Sequence, residues 1–246
     1  MKTISIFATC MLIAVFAFAQ NQKVEEVEVT APQFTGIKNV AIIQEEFPNS
    51  LIKKYLKDNI VYPAEALNCN IEGTEVVEFT VTAEGNVRDF KIINSVCPMI
   101  DNEVLLVLSQ TDGMWLPGTR MGQRTDMTME LPFTFCTSGN SEESVQEIFQ
   151  EKATACFTKG SKILFEKDNV KKASRYYDKG ITYLPYDKSL LLLRGMCRYE
   201  MGDTEGAVND WTRLHNLGGA NMNEFMELTQ LENMKGYNKM IAILKK

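Results

Sequence analysis

The hydrophobic pattern of this chain changes period once, at a small, polar cluster, "CTSGNSEES", residues 136–144. Before the cluster, stretches with apolar residues at every second position stand between stretches with apolar residues three and four apart. After it, the spacing is almost wholly of the second kind. Alternation sets apolar side chains on one face of a strand, and three-and-four spacing sets them on one face of a helix. The chain therefore reads as a mixed part, residues 36–137, and an all-helical part, 138–246. Together they have the length of one or two domains.

In the mixed part, "SLIKKYLKDNI" puts Leu51, Ile52, Tyr55, Leu56 and Ile60 on one helical face, with Asn49 or Ser50 as the cap. "YPAEALN" predicts a short helix with Pro63 in its first turn, where a missing N–H costs nothing. "TEVVEFTVTAEGNVRDFKIINS" predicts a hairpin: Val77, Phe79 and Val81 alternate, Glu84-Gly85-Asn86 turns, and Phe90 and Ile92 return. "IDNEVLLVLSQ" predicts a helix led by Asp101, and "TDMTMELPFTF" a last strand. In that strand Met129, Leu131, Phe133 and Phe135 share one face, and Glu130, Pro132 and Thr134 the other. Proline cannot donate to a ladder, so the strand belongs at an edge. A hairpin followed by a helical crossover lets the third strand lie beside the first. The expected fold is α+β, a small antiparallel three-stranded sheet with helices on one face, followed by an all-α part.

The chain begins "MKTISIFATCMLIAVFAFAQ", with Lys2, an apolar run from Ile4 to Phe18, and Ala17-Phe18-Ala19 before Gln20. This is the pattern of a secretory signal. The run is short for a bilayer span, which needs about 20 residues. Residues 1–19 are expected to be cleaved, leaving a periplasmic chain with no integral span; uncleaved, they would anchor it in the inner membrane. Residues 20–35 are polar and β-prone and predict an extended arm. A net charge of −6 and the absence of a basic run exclude nucleic acid as the expected partner.

Cys69, Cys97, Cys136, Cys156 and Cys197 follow the signal at wide spacings without a C-x-x-C, which gives a zinc site no support. Export permits disulfides. Cys69 precedes the first hairpin strand and Cys97 follows the second, so antiparallel pairing would bring them together. The alternative is two separate thiols.

The mixed part resembles the C-terminal domain of the TonB family. "YPAEA", "IEGTEVVEFTV", "MWLPGTRMGQ" and "MELPFTF" occur in the family's order, over about residues 32–135. The resemblance implies a periplasmic domain whose edge strand takes up a short segment of an outer-membrane transporter by strand addition. On the last strand, Thr128, Glu130 and Thr134 would then turn their backbone groups to the open edge. Two features depart from the energy-transducing members: the apolar segment looks cleavable, and there is no long proline-rich spacer.

The helical part contains a repeat. "LFEKDNVKKASRYYDKGITYLPYD" and "RYEMGDTEGAVNDWTRLHNLGG" align with Ala173 over Ala207 and Tyr177 over Trp211. The offset of 34 residues resembles the tetratricopeptide repeat. Gly180 stands where a packing alanine is usual. Residues 142–153 and 222–245 would cap the two repeats. The register puts Lys162, Phe165, Met196 and Tyr199 in a concave groove for a second protein.

No enzyme is expected, and no cofactor or metal. The single histidine, His215, falls in "RLHNLGG" at a helix end, where an imidazole is ordinarily a helix-end cation or a surface residue and not a catalyst. Gly113, Gly118 and Gly122 lie in a turn-rich link without a phosphate-loop lysine. Trp115 reads as core. The expected function is a non-enzymatic periplasmic binding module. It would capture a transporter, or another envelope protein, by strand addition and a second protein through its repeats. The alternatives are an envelope scaffold, including a homodimer, with no transporter contact, and a membrane-anchored energy transducer if the first segment is retained.

Overall fold

A computed structural model describes residues 28–38, 50–137, 141–219 and 229–245 of the chain. The expected signal at 1–19, the first residues of the arm and the Asn49 cap lie outside the described residues.

The mixed half runs β1 (Val29–Thr30), β2 (Gln33–Phe34), α1 (Ser50–Asn59), α2 (Ala64–Asn68), β3 (Gly73–Val81), β4 (Val87–Asn94) and α3 (Pro98–Ser109). It continues through β5 (Trp115–Leu116), β6 (Thr119–Arg120) and β7 (Gln123–Arg124) to β8 (Met127–Phe135). The main sheet has the order β4-β3-β8, with both neighbours antiparallel to β3. The third strand thus lies beside the first strand of the hairpin, as the crossover demands. Val77, Phe79 and Val81 point down onto Ile52 and Leu56 of α1 and Ile100, Val104 and Leu108 of α3, all buried in one cluster. Full burial of each such side chain contributes roughly 1.5–3 kcal/mol, which fixes the register of β3.

α3 starts three residues before Asp101, the residue expected to lead it. Cys97 is its N-cap and Pro98 its first residue, so Asp101 sits inside the first turn and does not lead the helix. The described end of the arm, from residue 28, forms short ladders: β1 pairs with β6 and β2 with β5. Phe34 packs edge-on against Trp115, with ring centres 5.2 Å apart, and Trp115 meets Phe79 at 5.5 Å. The Trp115 Nε1–H donates to Thr111 Oγ1 at 3.0 Å, so the indole is a satisfied core residue.

The helical half comprises α4 (Glu142–Lys167), α5 (Val170–Tyr183), α6 (Lys188–Glu200), α7 (Thr204–Asn216), a 3-10 turn (Thr229–Asn233) and α8 (Tyr237–Leu244). Ser141, Asn169, Asp187 and Asp203 cap α4 to α7, each side chain accepting a backbone N–H of the first turn. Each cap is worth about 1 kcal/mol. The segment 142–153 is not a separate flank: it runs unbroken into residues 154–167 as one 26-residue helix. Ala173, Tyr177, Ala207 and Trp211 are all fully buried at the positions that the 34-residue offset pairs. Gly195 lets the Trp211 ring lie flat on α6, since a Cβ there would stand 2.4 Å from Nε1. Gly180 admits Leu190 in the same way, at 2.8 Å.

The sheet is not covered on one face only. Val76 points away from the α1–α3 face and is nevertheless fully buried. The end of α5 closes over it. Thr74 Oγ1 donates to the Tyr183 carbonyl at 3.0 Å, and Asn94 Nδ2 to the Ile181 carbonyl at 3.3 Å. Gly73 lies so close to Thr182 that a Cβ would meet its carbonyl oxygen at 2.8 Å. The helical half is therefore a second layer on the outer face of the sheet. Among the described residues no helix is long and apolar enough to cross a membrane.

Candidate binding edge

The direction of the backbone groups on β8 is set by its neighbour. The Thr74 carbonyl accepts from Asn94 Nδ2 at 2.7 Å, and the Thr82 N–H donates to the Asn86 carbonyl at 2.9 Å. The even-numbered groups of β3 therefore face β4, and the odd-numbered ones face β8. Glu75 lies opposite Phe133, Val77 opposite Leu131 and Phe79 opposite Met129, so these are the bonded pairs. Thr128, Glu130, Pro132 and Thr134 fall at the non-bonded pairs, opposite Thr80, Glu78, Val76 and Thr74. Their backbone groups point outward. Pro132 thus costs the ladder nothing, and β8 is an edge strand in its sheet.

Among the described residues no strand pairs with the outer side of β8. Thr128, Pro132 and Thr134 are exposed, whereas Glu130 is half-buried. Arg213 of α7 donates from Nη2 to Glu130 Oε1 at 2.5 Å and from Nη1 to Oε2 at 3.4 Å. The guanidinium lies 5.2 Å from the centre of the Tyr186 ring. Burial pushes the Tyr186 phenol up, and the neighbouring Glu130 carboxylate adds to that. Among the described residues the helical half thus engages the outward side chain at the middle of the edge and not its backbone N–H.

A second polar contact ties the halves together at the end of the sheet. Lys152 of α4 bonds Glu72, which also accepts from the Thr137 N–H at 2.8 Å and the Thr137 hydroxyl at 2.5 Å. The ammonium lies 5.4 Å from the Tyr183 ring and 5.8 Å from Phe149. Burial pushes the Glu72 carboxyl up, but the bonds from Lys152 and Thr137 outweigh it and hold the group down to about 2.

The residues expected to line a repeat groove do not form one open surface. Met196 is fully buried in the helical core. Tyr199 packs on Trp211 at 5.8 Å between ring centres, and Gly236, just before α8, abuts its Cβ. Phe165 is half-buried against the same core, and only Lys162 is exposed. The C-terminal turn, absent from the repeat register, covers this side: the Lys235 N–H donates to Glu200 at 2.5 Å. The Cys69–Cys97 disulfide is not formed. Cys69 caps the end of α2 and is exposed, while Cys97 caps the start of α3 and packs on the sheet core. Both are free thiols, because the chain turns away beyond each end of the hairpin.

His215 sits in the last turn of α7, as its motif suggested. Among the described residues no three or more His, Cys, Asp or Glu side chains group as metal ligands would. Arg213, Tyr186, Lys152 and Glu72 were not singled out in the sequence. One signal for them exists: the end of α5 and the loop after it carry Tyr183 and Tyr186, while the equivalent positions, 34 residues on, are Leu217 and Ala220. Two aromatics at one helix end and not at the other mark the end that has something to pack against.

Residues 58–137 match the model of the Gram-negative bacterial TonB protein C-terminal family. The match spans about a third of the chain and takes in the whole main sheet, α2 and α3. The NMR solution structure of the TonB C-terminal domain of Helicobacter pylori is similar over 36% of this chain and 79% of that one, at 18% identity and a TM-score of 0.29. A search of curated proteins finds no match to the chain.

Proposed function

We propose that this chain is a non-enzymatic protein-binding module of the cell envelope. It captures an extended segment of an outer-membrane transporter by adding it as a strand to β8. The observation that carries the reading is the edge itself. Thr128, Glu130 and Thr134 present three outward N–H groups along a strand that belongs to the TonB-like match. Backbone hydrogen bonds to a sheet edge give such a complex its affinity, and alternate side chains give it specificity. The 34-residue offset and the shared buried positions of α5 and α7 support a tetratricopeptide-like reading of the helical half, which would hold a second protein. An exported, soluble chain of this kind binds without pulling.

A photo-activated cross-linker at Thr128 tests the proposal. The expected product joins this residue to the extended segment of a transporter in envelope preparations. A cross-linker at exposed Lys53 on α1 should give no such product. Cross-links only between copies of the chain would replace transporter capture with a dimerising scaffold.

A further inference from the structure

Glu75 breaks the apolar face of β3. Its neighbours on that face, Val77, Phe79 and Val81, are core residues, and the Glu75 side chain is as fully buried as they are. Oε2 accepts the Val96 N–H at 2.8 Å, at the joint between β4 and α3. Among the described residues no group donates a hydrogen bond to Oε1. The carboxyl group of Asp101, in the first turn of α3, lies within hydrogen-bonding reach of Glu75. Asp101 is itself fixed by the Ser95 hydroxyl, which lies 2.9 and 3.0 Å from its two oxygens.

Two ionised carboxylates only accept, so they cannot bond each other. A single proton between them converts the repulsion into a hydrogen bond and supplies Oε1 with a role. We propose that Glu75 is held as the carboxylic acid and donates from Oε1 to Asp101, a shared proton latching the central strand to the crossover helix. The latch makes the fold less stable as pH rises through neutrality. The groups that face Glu75 are the Val96 N–H from the β4–α3 link, the Asp101 carboxylate from α3 and, across the ladder, the Phe133 ring from β8. None carries a positive charge, and among the described residues neither carboxyl joins an ion pair.

Burial pushes the Glu75 carboxyl up and the Asp101 charge adds to it, against the pull of the Val96 bond, to about 8. The sign comes from linkage. In the unfolded chain the group titrates near 4.5, so between 4.5 and about 8 the folded state holds one proton more. The contribution is complete below the lower value and is lost as pH approaches the upper one. Over that window the folding constant falls by up to about tenfold per pH unit.

Carbon-13 NMR of the side-chain carboxyls in the full chain tests the latch directly. The Glu75 resonance is expected to titrate above neutrality. Titration in the ordinary carboxylate range overturns the proposal. Glu75→Gln keeps a donor at the Oε1 position and removes the titrating proton. Its urea midpoint should be flat with pH where the unsubstituted protein loses stability. A pH slope in the variant equal to that of the unsubstituted protein also overturns it. Should the variant not fold, the NMR titration of the unsubstituted protein decides alone.

Discussion

Arg213 of α7 closes on Glu130 of β8, a bidentate ion pair between the helical half and the edge strand, 2.5 Å at its shorter contact. The guanidinium is 19% and the carboxylate 31% exposed, so water screens the pair only in part. Arg213→Ala is expected to cost about 1 kcal/mol, since a partly buried charged hydrogen bond is worth more than a surface pair. Hydrogen exchange should quicken at the ends of α7 and in the Tyr186 loop, with the β3–β8 ladder unchanged. Faster exchange throughout the sheet would mean that the pair supports the strand itself.

Gly73 lies directly against the backbone of α5. A Cβ there would stand 2.6 Å from Thr182 Cγ2 and 2.8 Å from the Thr182 carbonyl oxygen. The oxygen belongs to the backbone of α5 and cannot rotate away. Gly73→Ala should cost roughly 1–3 kcal/mol in overpacking. It should also weaken the bonds of Thr74 and Asn94 to the end of α5. Chemical denaturation measures the first effect and amide exchange at Tyr183 and Leu184 reports the second. An unchanged unfolding midpoint would show that the halves separate at no cost.

Glu72 and Lys152 give the molecule a pH dependence opposite in sign to that of Glu75. The folded Glu72 carboxyl titrates at about 2 and the unfolded one near 4.5. Its contribution is therefore complete above 4.5 and is lost as pH falls towards 2. Lys152→Met should lower stability near neutral pH, and the gap to the unsubstituted protein should close across that window. A gap that persists at the acid end would assign the effect to the ammonium over Phe149 and Tyr183 instead.

What could be read from the sequence was what short-range periodicity records. The Ile52 and Leu56 face of α1, the Val77-Phe79-Val81 face of β3 and the outward Pro132 are all statements about residues two to four positions apart. The length of α4 was hidden because its buried stripe runs Phe149, Ala153, Cys156, Gly160 and Leu164. Alanine, cysteine and glycine lie in the contact but carry little hydrophobic signal. The arm ladders were hidden because two-residue strands have no period. The joint between the halves was hidden for a different reason. Lys152 and Glu72 are 80 residues apart and Arg213 and Glu130 are 83, and each reads alone as an ordinary surface charge. Only a fold that lays α5 across Val76 gives them partners.

Thr128 offers the sharpest test of the edge. Its outward N–H would be the first donor met by a strand added to β8, and the non-bonded pair with Thr80 means that β3 makes no use of it. Thr128→Pro removes that donor and sets a ring against the incoming chain. The strand already accommodates Pro132 at a site of the same parity, so the extended backbone suits the substitution. Folding should change by less than about 1 kcal/mol, because no ladder bond is lost. Cross-linking at the edge, with the photo-reactive group placed at exposed Thr134, should fall by at least about tenfold, the worth of one or two backbone hydrogen bonds in a short added strand. Met129→Pro is the matched control, since its N–H points inward to Phe79 and its loss should unfold the sheet edge. If Thr128→Pro leaves the cross-linking intact while the protein stays folded, the partner does not enter along β8.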